Sequence, residues 1–138
     1  MDIAALIAWL VTAGGGFVML GTWIAKGGTR APETTRLSPG LVFGHFGIAA
    51  VGLVLWIVYL FADSRALAWI AFILLVPVAL LGFTMFARWL PGYRARTAST
   101  GEAAPEQRFP VAVVGAHGLL AVTTVVLVLL AALGVGGS

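Results

Sequence analysis

The sequence has no cysteine, only five acidic residues and only two histidines among 138 residues. Without cysteine there are no disulfides, no thiolate metal sites and no thiol redox chemistry. Charged residues make up 9% of the chain, well below a soluble domain, while 61% are hydrophobic. Lys, Arg, Asp and Glu are absent from four long apolar runs: Ile3–Ala25, Pro39–Phe61, Ala66–Phe86 and Phe109–Val135. There is no phosphate-binding glycine loop, no nucleophile–base arrangement and no carboxylate pair, which argues against hydrolysis and phosphoryl transfer. The formal charge of +3 comes from loop arginines. It reads as a topology signal and not as a nucleic-acid surface.

Each of the four runs reaches the ~20 apolar residues that a helix needs to cross the hydrocarbon core. The expected fold is therefore all-α, a four-helix transmembrane bundle forming a single integral membrane domain. A cleaved signal peptide is the rival for the first run, but Met1-Asp2 carries no positive side chain and the run exceeds signal-peptide length. Seven of the eight basic residues lie in loops 26–38 and 88–108, and only Arg65 lies between runs two and three. By the positive-inside rule those two loops are cytoplasmic, both termini face outward, and the membrane is the plasma (inner) membrane. Trp23 and Trp89 then fall at the inner interface, with Trp9, Trp56, Tyr59 and Trp69 nearer the outer one. Pro77 frees the Ile73 carbonyl and is expected to kink the third helix. The Thr97-to-Pro105 segment, small and polar, is expected to be mobile.

A faint internal repeat runs through the chain. Ala8-Trp9 resembles Ala68-Trp69, Gly21-Thr22 resembles Gly82-Phe-Thr84, and Arg36…His45 matches Arg108…His117 at an offset of 72 residues. The chain reads as two similarly oriented helical hairpins about an approximate two-fold axis along the membrane normal. Met19 and Met85 are expected in the core, and Thr123 and Thr124 are expected to bond their own helix backbone.

The two histidines carry the functional argument. Each lies nine residues after an arginine, Arg36 or Arg108, and each has glycines close by: Gly44 and Gly47, Gly115 and Gly118. His45 is six residues beyond Pro39 and His117 seven beyond Pro110. At ~1.5 Å per residue both lie roughly 9–11 Å along their helices, at one depth in the inner leaflet. Four readings follow. Each histidine is polar glue between helices; or the pair ligates haem b through both axial positions; or it holds a transition metal; or it relays protons or a small solute. Two imidazoles are few for zinc, and no buried carboxylate completes a metal set or a transport path. For haem, the glycines give room beside each ligand, and Arg36 and Arg108 are at hand for the propionates.

On the surroundings of His45 and His117, the chain resembles the small four-helix membrane b-type cytochromes, and also four-helix membrane proteins of actinobacteria. The resemblance implies one haem b on His45 and His117, since two histidines serve at most one such group. It implies an electron-transfer or redox-linked role, as a haem-dependent membrane oxidoreductase if an enzyme. Electrons would be exchanged with a quinone or a membrane redox partner. The alternative is a small transporter or an accessory subunit of a larger complex. The lipid bilayer is the expected surrounding, nucleic acid is not an expected partner, and the glycines suit a homo-oligomer.

Overall fold

The computed structural model describes residues 1–96, 101 and 103–136. Among these the fold is all-helical: α1 (Asp2–Ala25), α2 (Pro39–Ala62), α3 (Arg65–Ala95) and α4 (Val111–Ala132). Short 3₁₀ turns, Pro32–Thr34 and Pro105–Arg108, precede α2 and α4. All four helices are long and apolar enough to cross a membrane. Their outward faces carry large apolar side chains, among them Ile7, Val54, Ile73 and Leu119, which suits lipid contact.

Local sequence explains the ends. Ser38 caps α2, its Oγ accepting from the Leu41 amide at 3.4 Å, with Pro39 in the first turn. Asp63, at φ 48, closes α2 in the left-handed conformation, and its amide donates to the Tyr59 carbonyl. The two-residue link Asp63-Ser64 then sends α3 back alongside α2. Helix α3 contains Pro77, as the sequence places it, and departs from the sequence reading at its far end, where it continues through Pro91 to Ala95, nine residues beyond the apolar run. Hydrocarbon burial stops where Arg88 appears, but backbone hydrogen bonding does not. Trp89 is buried and stacks on Tyr93 with ring centres 4.8 Å apart, which anchors the extra turns. Of the segment expected to be mobile, residues 97–100 and 102 lie outside the described residues, whereas Pro105 is buried.

Helix α1 packs mainly on α4 and α2 mainly on α3, while α3 touches α4 more closely than α1 touches α2. One apolar cluster, including Ala5, Trp9, Trp56, Ala71, Leu75 and Val128, fills the end of the bundle that holds both termini. A second, built on Trp23, Leu37 and Val42 with Met85 and Phe109 against it, fills the end that holds the arginine-rich connections. The tryptophans expected at the interfaces are turned inward: Trp9, Trp23, Trp56 and Trp89 are all buried. Three of their indole N–H groups find acceptors at a helix end or in a connection. Trp56 donates to the Asp2 carbonyl (3.3 Å) and Trp23 to Thr35 Oγ1 (3.0 Å).

Burial fixes the register of the internal repeat. Ala5, Trp9, Thr12 and Trp23 on α1 and Ala71, Leu75, Val78 and Trp89 on α3 are buried counterparts, each 66 residues apart. Gly52 and Trp56 on α2 match Thr124 and Val128 on α4, each 72 apart. Between the two registers the second half of the chain thus gains six residues, four in the longer end of α3 and two in the α3–α4 connection. The Trp9–Trp69 match, 60 apart, is not structural: Trp9 is core, while Trp69 is only partly buried against it. The repeat also accounts for the looser α1–α2 contact. Phe46 meets Phe17 edge-on at 5.7 Å, whereas the counterpart of Phe46 on α4 is Gly118.

Thr123 and Thr124 do bond their own backbone, to Leu119 (2.9 Å) and Leu120 (2.8 Å). Thr124 Oγ1 also lies 3.3 Å from Thr12 Oγ1, which itself donates to the Ala8 carbonyl at 2.7 Å. With both hydroxyl protons so committed, little is left for a bond between the helices. Thr124→Val is therefore expected to change stability by less than about 1 kcal/mol, as interhelical polar contacts in membranes commonly do. Unfolding in mixed detergent micelles measures it.

Candidate functional site

Between the two apolar clusters lie His45 on α2 and His117 on α4. Their ring centres are 6.3 Å apart, with the planes tilted by 57°. The sequence placed both at one depth, and the fold brings them together across the bundle.

Each ring is held by a neighbouring helix. His45 Nδ1 lies 2.9 Å from the Val78 carbonyl of α3, and His117 Nδ1 lies 2.8 Å from the Thr12 carbonyl of α1. A carbonyl oxygen only accepts, so Nδ1 is the protonated nitrogen in both rings. That leaves Nε2 of each ring as a lone-pair site with no hydrogen-bond partner among the described residues. A backbone acceptor on one nitrogen is the arrangement that orients an imidazole to bind through the other.

The glycines that touch the rings are not the ones beside them in sequence. A Cβ on Gly16 would lie 3.2 Å from His117 Cε1, and one on Gly82 would lie 3.3 Å from His45 Cε1. Gly15 packs against the His117 Cβ in the same way, at 3.5 Å. At Gly44, Gly47, Gly115 and Gly118 an added Cβ would meet nothing within 4 Å, and the latter two are exposed on the bundle surface. Successive residues on a helix diverge by ~100°, so a ring's close contacts come from the facing helix. The two ring sites repeat one device. The histidine bonds a carbonyl, at Thr12 or Val78, and rests on the glycine four residues further on, Gly16 or Gly82. Those residues too are 66 apart, a signal present in the sequence once the right register is known.

This predicts an asymmetry among glycines. Gly16→Val and Gly82→Val should each destabilise the bundle by about 1–3 kcal/mol, because the ring must leave its carbonyl. Gly118→Val should stay within about 0.5 kcal/mol. Thermal unfolding of the three variants in one detergent makes the comparison.

Arg36 and Arg108 both line a cleft at the arginine-rich end, together with Arg96. Behind that cleft is a residue that the sequence reading passed over. Glu106 is fully buried, a correction to the expectation that no buried carboxylate exists. It lies in the Pro105–Arg108 turn, outside the membrane spans, and so completes no ligand set around the histidines. Its Oε2 accepts from Thr35 Oγ1 at 2.6 Å and its Oε1 from the Arg36 amide at 2.9 Å. Its carbonyl accepts from Trp89 Nε1 at 3.0 Å, and Gln107 Nε2 donates to the Trp89 carbonyl at 3.2 Å. Nothing in a loop glutamate's local sequence marks it as buried.

Among the described residues, no group of three or more His, Cys, Asp or Glu is placed to share a metal ion. A site using the pair must therefore take a ligand that supplies the remaining donors. Comparison with known protein families, curated proteins and solved structures finds no match.

Proposed function

We propose that the protein binds one haem b between His45 and His117, inside a multi-pass membrane bundle, and serves electron transfer or a redox-linked reaction. The observation that carries this reading is the pair of rings 6.3 Å apart, each anchored through Nδ1 to a backbone carbonyl. His45 and His117 would hold the iron through Nε2, the ring nitrogen that the two carbonyls leave free, and a porphyrin would supply the further donors that two histidines alone lack. When bound, the haem supplies one-electron chemistry, with its potential set by the two neutral imidazoles and their hydrogen bonds.

The chain's own contribution is orientation. The carbonyls of Thr12 and Val78 fix the tautomer and aim of each ring, and Gly15, Gly16 and Gly82 let the rings sit close to α1 and α3. The two apolar clusters keep water from either end. In this reading loops 26–38 and 88–108 face the cytoplasm, the membrane is the plasma membrane, and the electron partner is a quinone or a membrane redox protein reached from the inner leaflet.

The test is spectroscopic. Protein purified in detergent from haem-replete cells should be red, with a Soret band and sharp α and β bands on reduction. Colourless protein would leave the rings as interhelical glue. It would favour a small transporter or an accessory subunit, since both rings already have a backbone partner.

A further inference from the structure

The connections at the arginine-rich end form one interlocked unit, and its outer side carries a second candidate site. A cleft of about 480 Å³ is lined by Arg36, Arg96 and Arg108, with Gly92, Glu106 and Gln107 also on its walls. The three arginines come from three separate places: just before α2, just after α3, and the 3₁₀ turn before α4. Arg96 is held with its guanidinium 5.5 Å from the Tyr93 ring centre. Among the described residues the wall holds one carboxylate, Glu106; it offsets part of this charge but occupies none of the guanidinium donors, because its oxygens accept from Thr35 Oγ1 and the Arg36 amide. Gln107 is buried too. Its amide nitrogen is committed to the Trp89 carbonyl, and its Oε1 is left without a partner. The wall is thus fixed from within, and the positive charge faces the cleft.

Depth identifies the ligand. The 31 residues of α3 span about 46 Å at 1.5 Å per residue. That matches a bilayer with its headgroup layers, about 40–45 Å, and exceeds the ~30 Å hydrocarbon core. Gly92 and Arg96 at the end of α3 therefore stand at the level of the lipid phosphates. Guanidinium forks match phosphate oxygens in geometry as well as charge. We propose that this cleft binds the phosphate of an anionic phospholipid headgroup from the adjoining leaflet. The inference does not rest on the haem reading.

Native mass spectrometry of the full chain in detergent, with phosphatidylglycerol or phosphatidylcholine added in equal amount, tests it. The wild type should retain phosphatidylglycerol and release phosphatidylcholine. Arg36→Gln/Arg96→Gln/Arg108→Gln should lower the phosphatidylglycerol-bound fraction roughly tenfold or more. Lys26→Gln/Arg30→Gln/Arg94→Gln removes the same charge from the same end but outside the cleft, and should change retention less than about twofold. Arg96→Gln alone, at an exposed helix end, guards against a folding defect and should still weaken retention several-fold. Equal loss in the two triple variants, or equal retention of phosphatidylcholine, would show general surface charge only and overturn the proposal. So would displacement of the lipid by millimolar inorganic phosphate, which would assign the cleft to a soluble oxyanion. A cleft triple variant that keeps its lipid but loses a haem spectrum would assign the arginines to the cofactor's carboxylates instead.

Discussion

Alanine at His45 or at His117 is expected to abolish the six-coordinate haem spectrum. On the proposed reading each change would remove one of the two nitrogens that hold the iron, so haem would be lost or turn five-coordinate and high-spin, and the double variant should be colourless. The fold should survive. Each ring gives a single hydrogen bond to a backbone carbonyl inside a helix, at Val78 or Thr12. Losing such a bond is expected to cost about 1–2 kcal/mol of stability. Spectrum and stability therefore separate: a large spectral loss with a modest shift in the unfolding midpoint. If both single variants kept the wild-type spectrum, the iron would have to be held elsewhere and the reading would fall. Loss of folding in both would point instead to histidines whose work is structural.

The second large effect belongs to Glu106. Glu106→Ala removes a fully buried carboxylate and takes their acceptor from the part-buried bonds of the Arg36 amide and the Thr35 hydroxyl. At about 1–3 kcal/mol for each stranded donor, the expected loss is roughly 2–6 kcal/mol, at or above that of any histidine variant. Glu106→Gln should recover only part of it. The amide oxygen can keep the Arg36 N–H, but its NH₂ then faces Thr35 Oγ1. That oxygen already accepts from Trp23 Nε1 (3.0 Å) and the Leu37 amide (3.1 Å), so one bond must be given up. Unfolding midpoints in mixed micelles should rank wild type above Gln above Ala. An alanine variant as stable as the wild type would mean that this interlock is not what joins the two connections.

The number of helices, their apolar surfaces and the level of the two histidines follow from the sequence alone. Uncharged runs of bilayer length leave a helix little alternative, and position along a helix is counted in residues. What the sequence left open was direction around each helix and distance across the bundle. All four helices are apolar on every face, so hydrophobic periodicity does not tell an inward Trp9 from an outward Trp69. For the same reason the glycines flanking the histidines looked like their collar, when the rings rest on Gly15, Gly16 and Gly82 of other helices. The register of the repeat was misread on α1 and α3, where matching tryptophans gave 60 and matching burial gives 66. The far end of α3 and the burial of Glu106 were equally out of reach. A charged residue between the third and fourth apolar runs looks like loop until Trp23, Thr35, Arg36 and Trp89 are brought round it from distant parts of the chain. Composition and spacing fix what happens along a helix. Which side chains meet between helices is decided only when the backbones have packed, because that depends on angles and contacts that no local stretch contains.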